Sequence, residues 1–183
     1  MASWGPLNTQ PSFSADTMLL LTDGTVMVHE LNTPNWHRLT PDSSGSYVNG
    51  SWSSLASLPD NSGIPTANGG PTNAPLYFAS AVLGDGTVFV AGGEYNKGIA
   101  NSDILTAQIY DPLSDTWTAI ATPDGWTGIG DAVSCVLADG RLLFDGAPAA
   151  LLAQSGEPAA GDLERALVRF LGAGAAAYPE GTP

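Results

Sequence analysis

Short apolar runs flank an Asp-Gly pair three times along the chain: Leu21-Thr22-Asp23-Gly24-Thr25-Val26, Leu83-Gly84-Asp85-Gly86-Thr87-Val88 and Leu137-Ala138-Asp139-Gly140-Arg141-Leu142. Asp-Gly is favoured where both central turn residues need positive φ, so each phrase predicts a two-residue type I′ hairpin. The flanking strands are brief. Met18 to Leu21 runs against Val26 to Val28, Leu76 to Leu83 against Thr87 to Ala91, and Asp131 to Leu137 against Arg141 to Phe144.

The second copy continues furthest. Gly92-Gly93 ends its hairpin, a polar loop runs from Glu94 to Asp103, Ala107 to Tyr110 forms a third strand closed by Asp111-Pro112, and Thr116 to Ile120 forms a fourth. Four antiparallel strands recurring at intervals of about fifty residues predict propeller blades, because one such unit cannot bury its own apolar faces and must stack on neighbours. In order, Gly92, Gly93, Tyr110, Asp111, Pro112 and Trp117 resemble the landmarks of a kelch repeat. The pattern is also similar to the propeller domain of galactose-oxidase-like proteins and of bacterial kelch proteins. The glycines would let backbones approach closely, and Tyr110 and Trp117 are large plates suited to packing between blades.

The first repeat, about 16–59, fits with departures. His29-Glu30 stands where the glycine pair is expected, Arg38 to Asp42 replaces the Tyr-Asp-Pro strand, and Ser51 to Leu55 parallels the strand of Trp117. A long Gly-, Pro-, Asn- and Ser-rich loop, Pro59 to Pro75, then leads to the second repeat, about 76–120. The third, about 129–146, has its hairpin but no Tyr-Asp-Pro or Trp strand. The reading is therefore an all-β, partial kelch-type β-propeller over 1–146, with two complete blades and part of a third. Propellers close with about four to eight blades, so a fragment of a larger propeller is expected. Ser3-Trp4-Gly5-Pro6-Leu7 resembles the end of another Trp-bearing fourth strand.

Residues 147–183 change character to Ala-, Gly- and Pro-rich sequence, in which Leu163, Ala166, Leu167, Phe170 and Leu171 trace one face of a short helix over 161–171. An appended element, a helix capping the third blade and a reading-frame change would each account for the tail; its abruptness favours the last.

Charge narrows the partners. Five Lys and Arg against 18 Asp and Glu give a formal net charge of −13, which leaves little means of neutralising phosphates, so nucleic acid and anionic membrane are not expected partners. No run approaches the roughly 20 apolar residues of a membrane-spanning helix. The first residues show neither the basic stretch nor the apolar core of a secretion signal, so targeting information is expected to be absent or to have been removed, and one cysteine, Cys135, allows no intrachain disulfide. A cytoplasmic protein fits, and so does a secreted or cell-surface parent, so the compartment stays open.

The galactose-oxidase resemblance implies a copper-radical oxidase, which needs two tyrosines, two histidines and a cysteine bonded to one tyrosine. The two histidines here, His29 and His37, share one repeat, and Cys135 sits mid-strand, where a buried apolar role is expected. No catalytic residue, metal ligand or cofactor is assigned. The best binding candidates lie where blade loops emerge: His29 and Glu30 in the first repeat, and Glu94 with Tyr95, Asn96 and Lys97 at the matching place in the second. Solvated loop carboxylates are the competing reading of Glu30 and Glu94, and a structural hydrogen bond that of His29. Trp36 and Trp126 stand in loop-like contexts and are expected to be exposed aromatics, whereas Trp52 and Trp117 are expected in the core. Asn49-Gly50 matches a glycosylation sequon but reads better as a hairpin turn.

The function expected is a non-enzymatic scaffold for a protein or carbohydrate ligand, with self-association through exposed blade edges one way to cover them. The alternative is a piece of a galactose-oxidase-like or other carbohydrate-active enzyme whose chemistry lies on blades outside this chain. A purely architectural role is the third reading.

Overall fold

Strands and turns account for nearly all of the regular structure in the computed structural model, which describes residues 5–61, 64, 66–100, 102–122, 124–130, 133–136 and 142–145. The first blade consists of β1 (Ala15–Leu20), β2 (Val26–Glu30), β3 (Trp36–Thr40) and β4 (Ser51–Leu55), antiparallel and paired in sequence order. In the second blade β6 (Ala79–Val82), β7 (Val88–Ala91), β9 (Ala107–Asp111) and β10 (Thr116–Ala119) pair in the same order. The two remaining strands of this region, β5 (Pro75–Leu76) and β8 (Tyr95–Asn96), form a two-stranded sheet of their own. Further on, β11 (Val133–Val136) pairs with β12 (Leu142–Asp145). The chain divides into Met1–Leu143 and Phe144–Pro183, and the described residues lie almost wholly in the first. The phrase at Asp139-Gly140 and the helix expected over 161–171 lie outside the described residues.

The Asp-Gly phrases are hairpins, but not of the two-residue kind. Leu21 N–H bonds to Thr25 O at 2.9 Å and Gly24 N–H to Leu21 O at 3.0 Å, enclosing the three residues Thr22, Asp23 and Gly24. Leu83, Gly86 and Thr87 repeat the arrangement at 2.8 and 2.9 Å. Only the glycine of each pair has positive φ, 81° at Gly24 and 88° at Gly86, which is the three-residue loop with a bulge at the left-handed residue. The aspartate is used instead as an acceptor. Asp23 Oδ1 takes the Thr25 amide and hydroxyl at 2.8 and 2.7 Å, and Asp85 does the same with Thr87 at 3.0 and 2.7 Å.

Three other expectations are corrected. The apolar run Leu76 to Leu83 is broken at Tyr77, whose φ of 58° turns β5 away to pair with β8 near the start of the anticipated polar loop. The third strand of blade one ends at Thr40, because Pro41 has no N–H to donate to the ladder, and it begins earlier than expected, at Trp36. Asn49-Gly50 is not a tight hairpin. It closes the ten-residue connection 41–50, where Gly50 N–H bonds to Tyr47 O at 3.0 Å.

The core lies between the blades. Leu21, Met27, Trp36 and Leu58 of the first meet Phe78, Val88, Val90 and Tyr110 of the second, with Leu19, Leu55, Ala56, Val82 and Trp117 half-buried around them. Register explains the sidedness, since Leu19, Met27 and His29 alternate onto one face of blade one together with Trp36, the cross-strand partner of His29. The opposite face carries Met18 and Leu20, 65% and 63% exposed, with Val28, His37 and Trp52 farther out in the sheet.

Candidate functional site

At the end where β2 and β7 stop, the two blades send out loops of unequal length. In blade one that loop is only 31–35; in blade two it runs from Gly92 to Thr106 and contains β8. The glycine pair makes the second loop's geometry possible. Gly92 N–H bonds to Thr106 O at 2.8 Å and Gly93 N–H to Ile129 O at 2.6 Å, and with φ of 72° a Cβ on Gly92 would collide with Ile129. The close backbone approach expected of this pair is therefore between blade two and the Ile129 segment. The loops of the two blades also meet each other: a Cβ on Gly98 would stand 3.2 Å from Asn32 Oδ1. The end bearing Glu30 and the end bearing Glu94 are thus one continuous loop surface.

The sequence candidates divide on this surface into those held inside and those turned out. His29 is fully buried. Its Nδ1 lies 3.2 Å from Asp16 Oδ2 and its Nε2 2.8 Å from Thr33 O, while the ring packs against Trp36 and Phe78, so both nitrogens are spent on the fold. Burial holds the imidazole below its ordinary value, against the opposing pull of the Asp16 carboxylate. Trp36 is on a strand and fully buried, not an exposed loop aromatic; pairing with Leu55 and packing on Phe78 and Trp117 draw it into the core. Asn96 is equally buried. Its Oδ1 accepts the Ala74 amide at 2.8 Å, and its Nδ2 donates to Asn68 O at 2.6 Å and Thr72 O at 3.0 Å, fastening the 59–75 loop.

Glu30 is half-exposed and accepts from Asn35 Nδ2 at 3.0 Å, with His37 Nε2 3.1 Å away. Those hydrogen bonds, that to His37 foremost, hold its carboxyl below the usual range. Glu94 is also half-buried, and its carbonyl accepts the Ser102 amide at 3.0 Å. Lys97 is exposed, at φ 57°. Trp126 is half-buried in a loop. What the sequence reading missed are the exposed apolar groups beside these: Tyr77, 53% exposed and edge-on to Tyr95 at 5.3 Å, with Leu31 and Ile99 at 40% and 39%. The signal for Tyr77 was concealed by its position inside an apolar run.

The landmark residues serve the blade junction. Tyr110 O–H donates to Asp115 Oδ1 at 2.7 Å, and the same oxygen accepts the Ala56 amide of blade one at 2.9 Å. Burial, with Asp115 beside it, pushes the Tyr110 hydroxyl up. Asp111 accepts from Leu113 N–H and Ser114 O–H at 2.9 and 2.8 Å, closing the turn after β9. Trp117 Nε1 donates to Ala56 O at 2.9 Å. Residues 75–123 match the family model of the Kelch motif. The second blade is a kelch repeat.

Among solved structures, the chain is similar to YjhT, with a TM-score of 0.51 and 18% identity over 91% of this chain and 44% of that one. It is also similar to a fungal alcohol oxidase of the AA5 family in complex with copper, with a TM-score of 0.52 and 16% identity over 76% of this chain and 28% of that one. At such identities the likeness is one of fold, and the chain spans less than half the length of either structure. No curated protein sequence matches it. The architecture is a partial kelch-type β-propeller, a kelch-repeat scaffold.

The residues present do not fit a copper-radical centre. His29 and His37 lie on opposite faces of blade one, as the pairs His29 with Trp36 and Val28 with His37 require. Cys135, expected to be buried, is exposed on β11, because its neighbour Ser134 turns toward blade two and donates to Ser80 O at 2.9 Å. Among the described residues no group of three His, Cys, Asp or Glu converges as a metal site.

Proposed function

We propose that this kelch scaffold holds a protein partner on its joined loop end. The observation that carries this reading is the Tyr77 and Tyr95 ring pair, with Leu31 and Ile99 exposed on the adjoining loops. Tyrosines bring large contact area with few rotatable bonds, which is why they are enriched among residues that dominate protein interfaces. Glu30, Glu94 and Lys97 supply the polar surround, as at interfaces where a dry centre is ringed by polar groups.

The test is site-specific photocrosslinking in the source organism, with a benzophenone side chain at Tyr95 and, for comparison, at Leu113, which is 97% exposed in the turn between β9 and β10, at the opposite end of blade two. A discrete adduct from Tyr95, competed by unlabelled protein but not by a Tyr77→Ser, Ile99→Ser variant, supports the reading. No adduct, or an equal one from Leu113, would overturn it.

A further inference from the structure

Charge on the joined loop end is one-sided. Glu30, Glu94 and Asp103 stand where the loops emerge, and Asp60 follows Leu58, whose N–H bonds to Pro34 O at 2.8 Å; against them, Lys97 is the cation on these loops among the described residues. Arg38 is drawn to the opposite end, where its guanidinium donates to Pro112 O at 3.5 Å. Two of the carboxylates sit on adjoining backbone. Ser102 N–H bonds to Glu94 O at 3.0 Å and Ile104 N–H to Gly93 O at 3.1 Å, which lays Asp103 alongside Glu94. A Cβ on Gly130 would stand 3.0 Å from Asp103 Oδ1 and 3.5 Å from Glu94 Cα. The aromatic pair adjoins them. Leu76 pairs with Tyr95 across β5 and β8, so Tyr77 and Glu94 are the next residues along those two strands, and the Tyr77 ring keeps 53% of its surface open.

We infer that the segment received on this loop end is cationic and is read through arginine. The inference rests on the protein-partner reading of the same surface and gives that partner its chemistry. A guanidinium is planar, lies flat on an aromatic face and keeps its charge throughout the physiological range, so one group can use an open tyrosine ring and a neighbouring carboxylate together. Tyr77 supplies the ring, and Glu94 and Asp103 supply the charge. A lysine ammonium would meet the same carboxylates, but it is more strongly hydrated and has no plane to stack. The net charge of −13 adds a field that draws a cationic segment in and turns an acidic one away.

The experiment is fluorescence anisotropy on the full chain with five-residue peptides carrying an uncharged dye, with glycine at the first, third and fifth positions and arginine, lysine, citrulline or glutamate at the second and fourth. Saturable binding of the arginine peptide is expected, with weaker binding of the lysine peptide and none of the other two. Glu94→Gln with Asp103→Asn should raise the half-saturating concentration about tenfold or more, and Tyr77→Leu about threefold or more, with far-UV circular dichroism unchanged. Asp85→Asn with Asp111→Asn removes the same charge at the opposite end of blade two, beyond the screening length of about 8 Å at physiological salt, and should leave binding within about twofold. The inference is overturned if the arginine peptide does not bind, if any of the other three binds as tightly, if either variant at the loop end leaves binding intact, or if the pair at the opposite end weakens it equally. Each of those outcomes leaves the loop-end reading standing, because that reading falls with the Tyr95 crosslink and not with the peptide's charge.

Discussion

Trp117 of blade two reaches across the junction to donate its indole N–H to the carbonyl of Ala56, 2.9 Å away at the exit of blade one. Its ring lies against both Tyr110 and the buried Trp36, with centroids 5.0 and 5.8 Å distant. Packing and hydrogen bond are thus carried by one side chain. Trp117→Phe should cost about 1–2 kcal/mol, the worth of the lost bond and of the carbonyl left unpaired. Trp117→Ala should cost about 3–5 kcal/mol, as large-to-small changes in cores do. Urea unfolding followed by far-UV circular dichroism measures both.

Two glycines of blade two should respond differently to alanine. At Gly92 the new Cβ would meet Ile129 backbone and side chain at φ 72°, so Gly92→Ala should destabilise by more than about 3 kcal/mol or prevent folding. At Gly86 the nearest atom is the Thr22 hydroxyl at 2.9 Å, at the end of a side chain that can rotate. The remaining cost there is the left-handed φ of 88°, about 1–2 kcal/mol. Thermal melts of the two variants side by side decide the order.

Acid should act on this fold in two steps. Because burial holds His29 below its ordinary value, the unfolded chain binds the proton first as pH falls. Its contribution is therefore complete above about pH 6.5 and is lost as pH drops through the folded value. Glu30, lowered by its bonds to His37 and Asn35, contributes above about pH 4.5 and loses that contribution below it. Melting temperatures from pH 7.5 to 3.5 should fall in both windows. In His29→Gln the upper slope should flatten while the lower one persists.

Met18 and Leu20 occupy the face of blade one turned away from blade two. Exposed apolar groups of this size on a strand favour association. Met18→Thr with Leu20→Thr should leave the melting temperature within about 2 °C, in line with the small effect of surface changes, and should lower the concentration dependence of light scattering.

Cys135 should react fully with a thiol reagent in the native state, since it is exposed on β11. Stoichiometric labelling at the rate of a model thiol is the expected outcome, measured by absorbance without denaturant.

How much of this was legible in the chain varied with how local each cause is. The Asp-Gly phrases, the glycine pair and the Tyr110 to Trp117 spacing encode turns and strands through neighbouring residues, so both blades and their order could be read. The turn type was not, because Asp23 and Asp85 prefer to accept from the threonine two residues on rather than adopt positive φ. Trp36 and Cys135 were misjudged for the opposite reason. Their burial depends on which sheet face is covered, a matter of the neighbouring blade. Candidate contacts suffered likewise: Glu30, Glu94 and Lys97 were chosen from position alone, whereas the exposure of Tyr77 follows from a single backbone angle.

Trp52 donates to Thr9 as Trp117 donates to Ala56, each tryptophan gripping a stretch of backbone that lies earlier in the sequence. Such a clasp has a direction in time. On the ribosome, the carbonyl is made first and waits; its donor emerges some forty to sixty residues later, closing over what has already left the tunnel. A chain of this kind is fastened from behind as it grows, and one stopped before Trp117 would lack the bond that ties blade two to the exit of blade one.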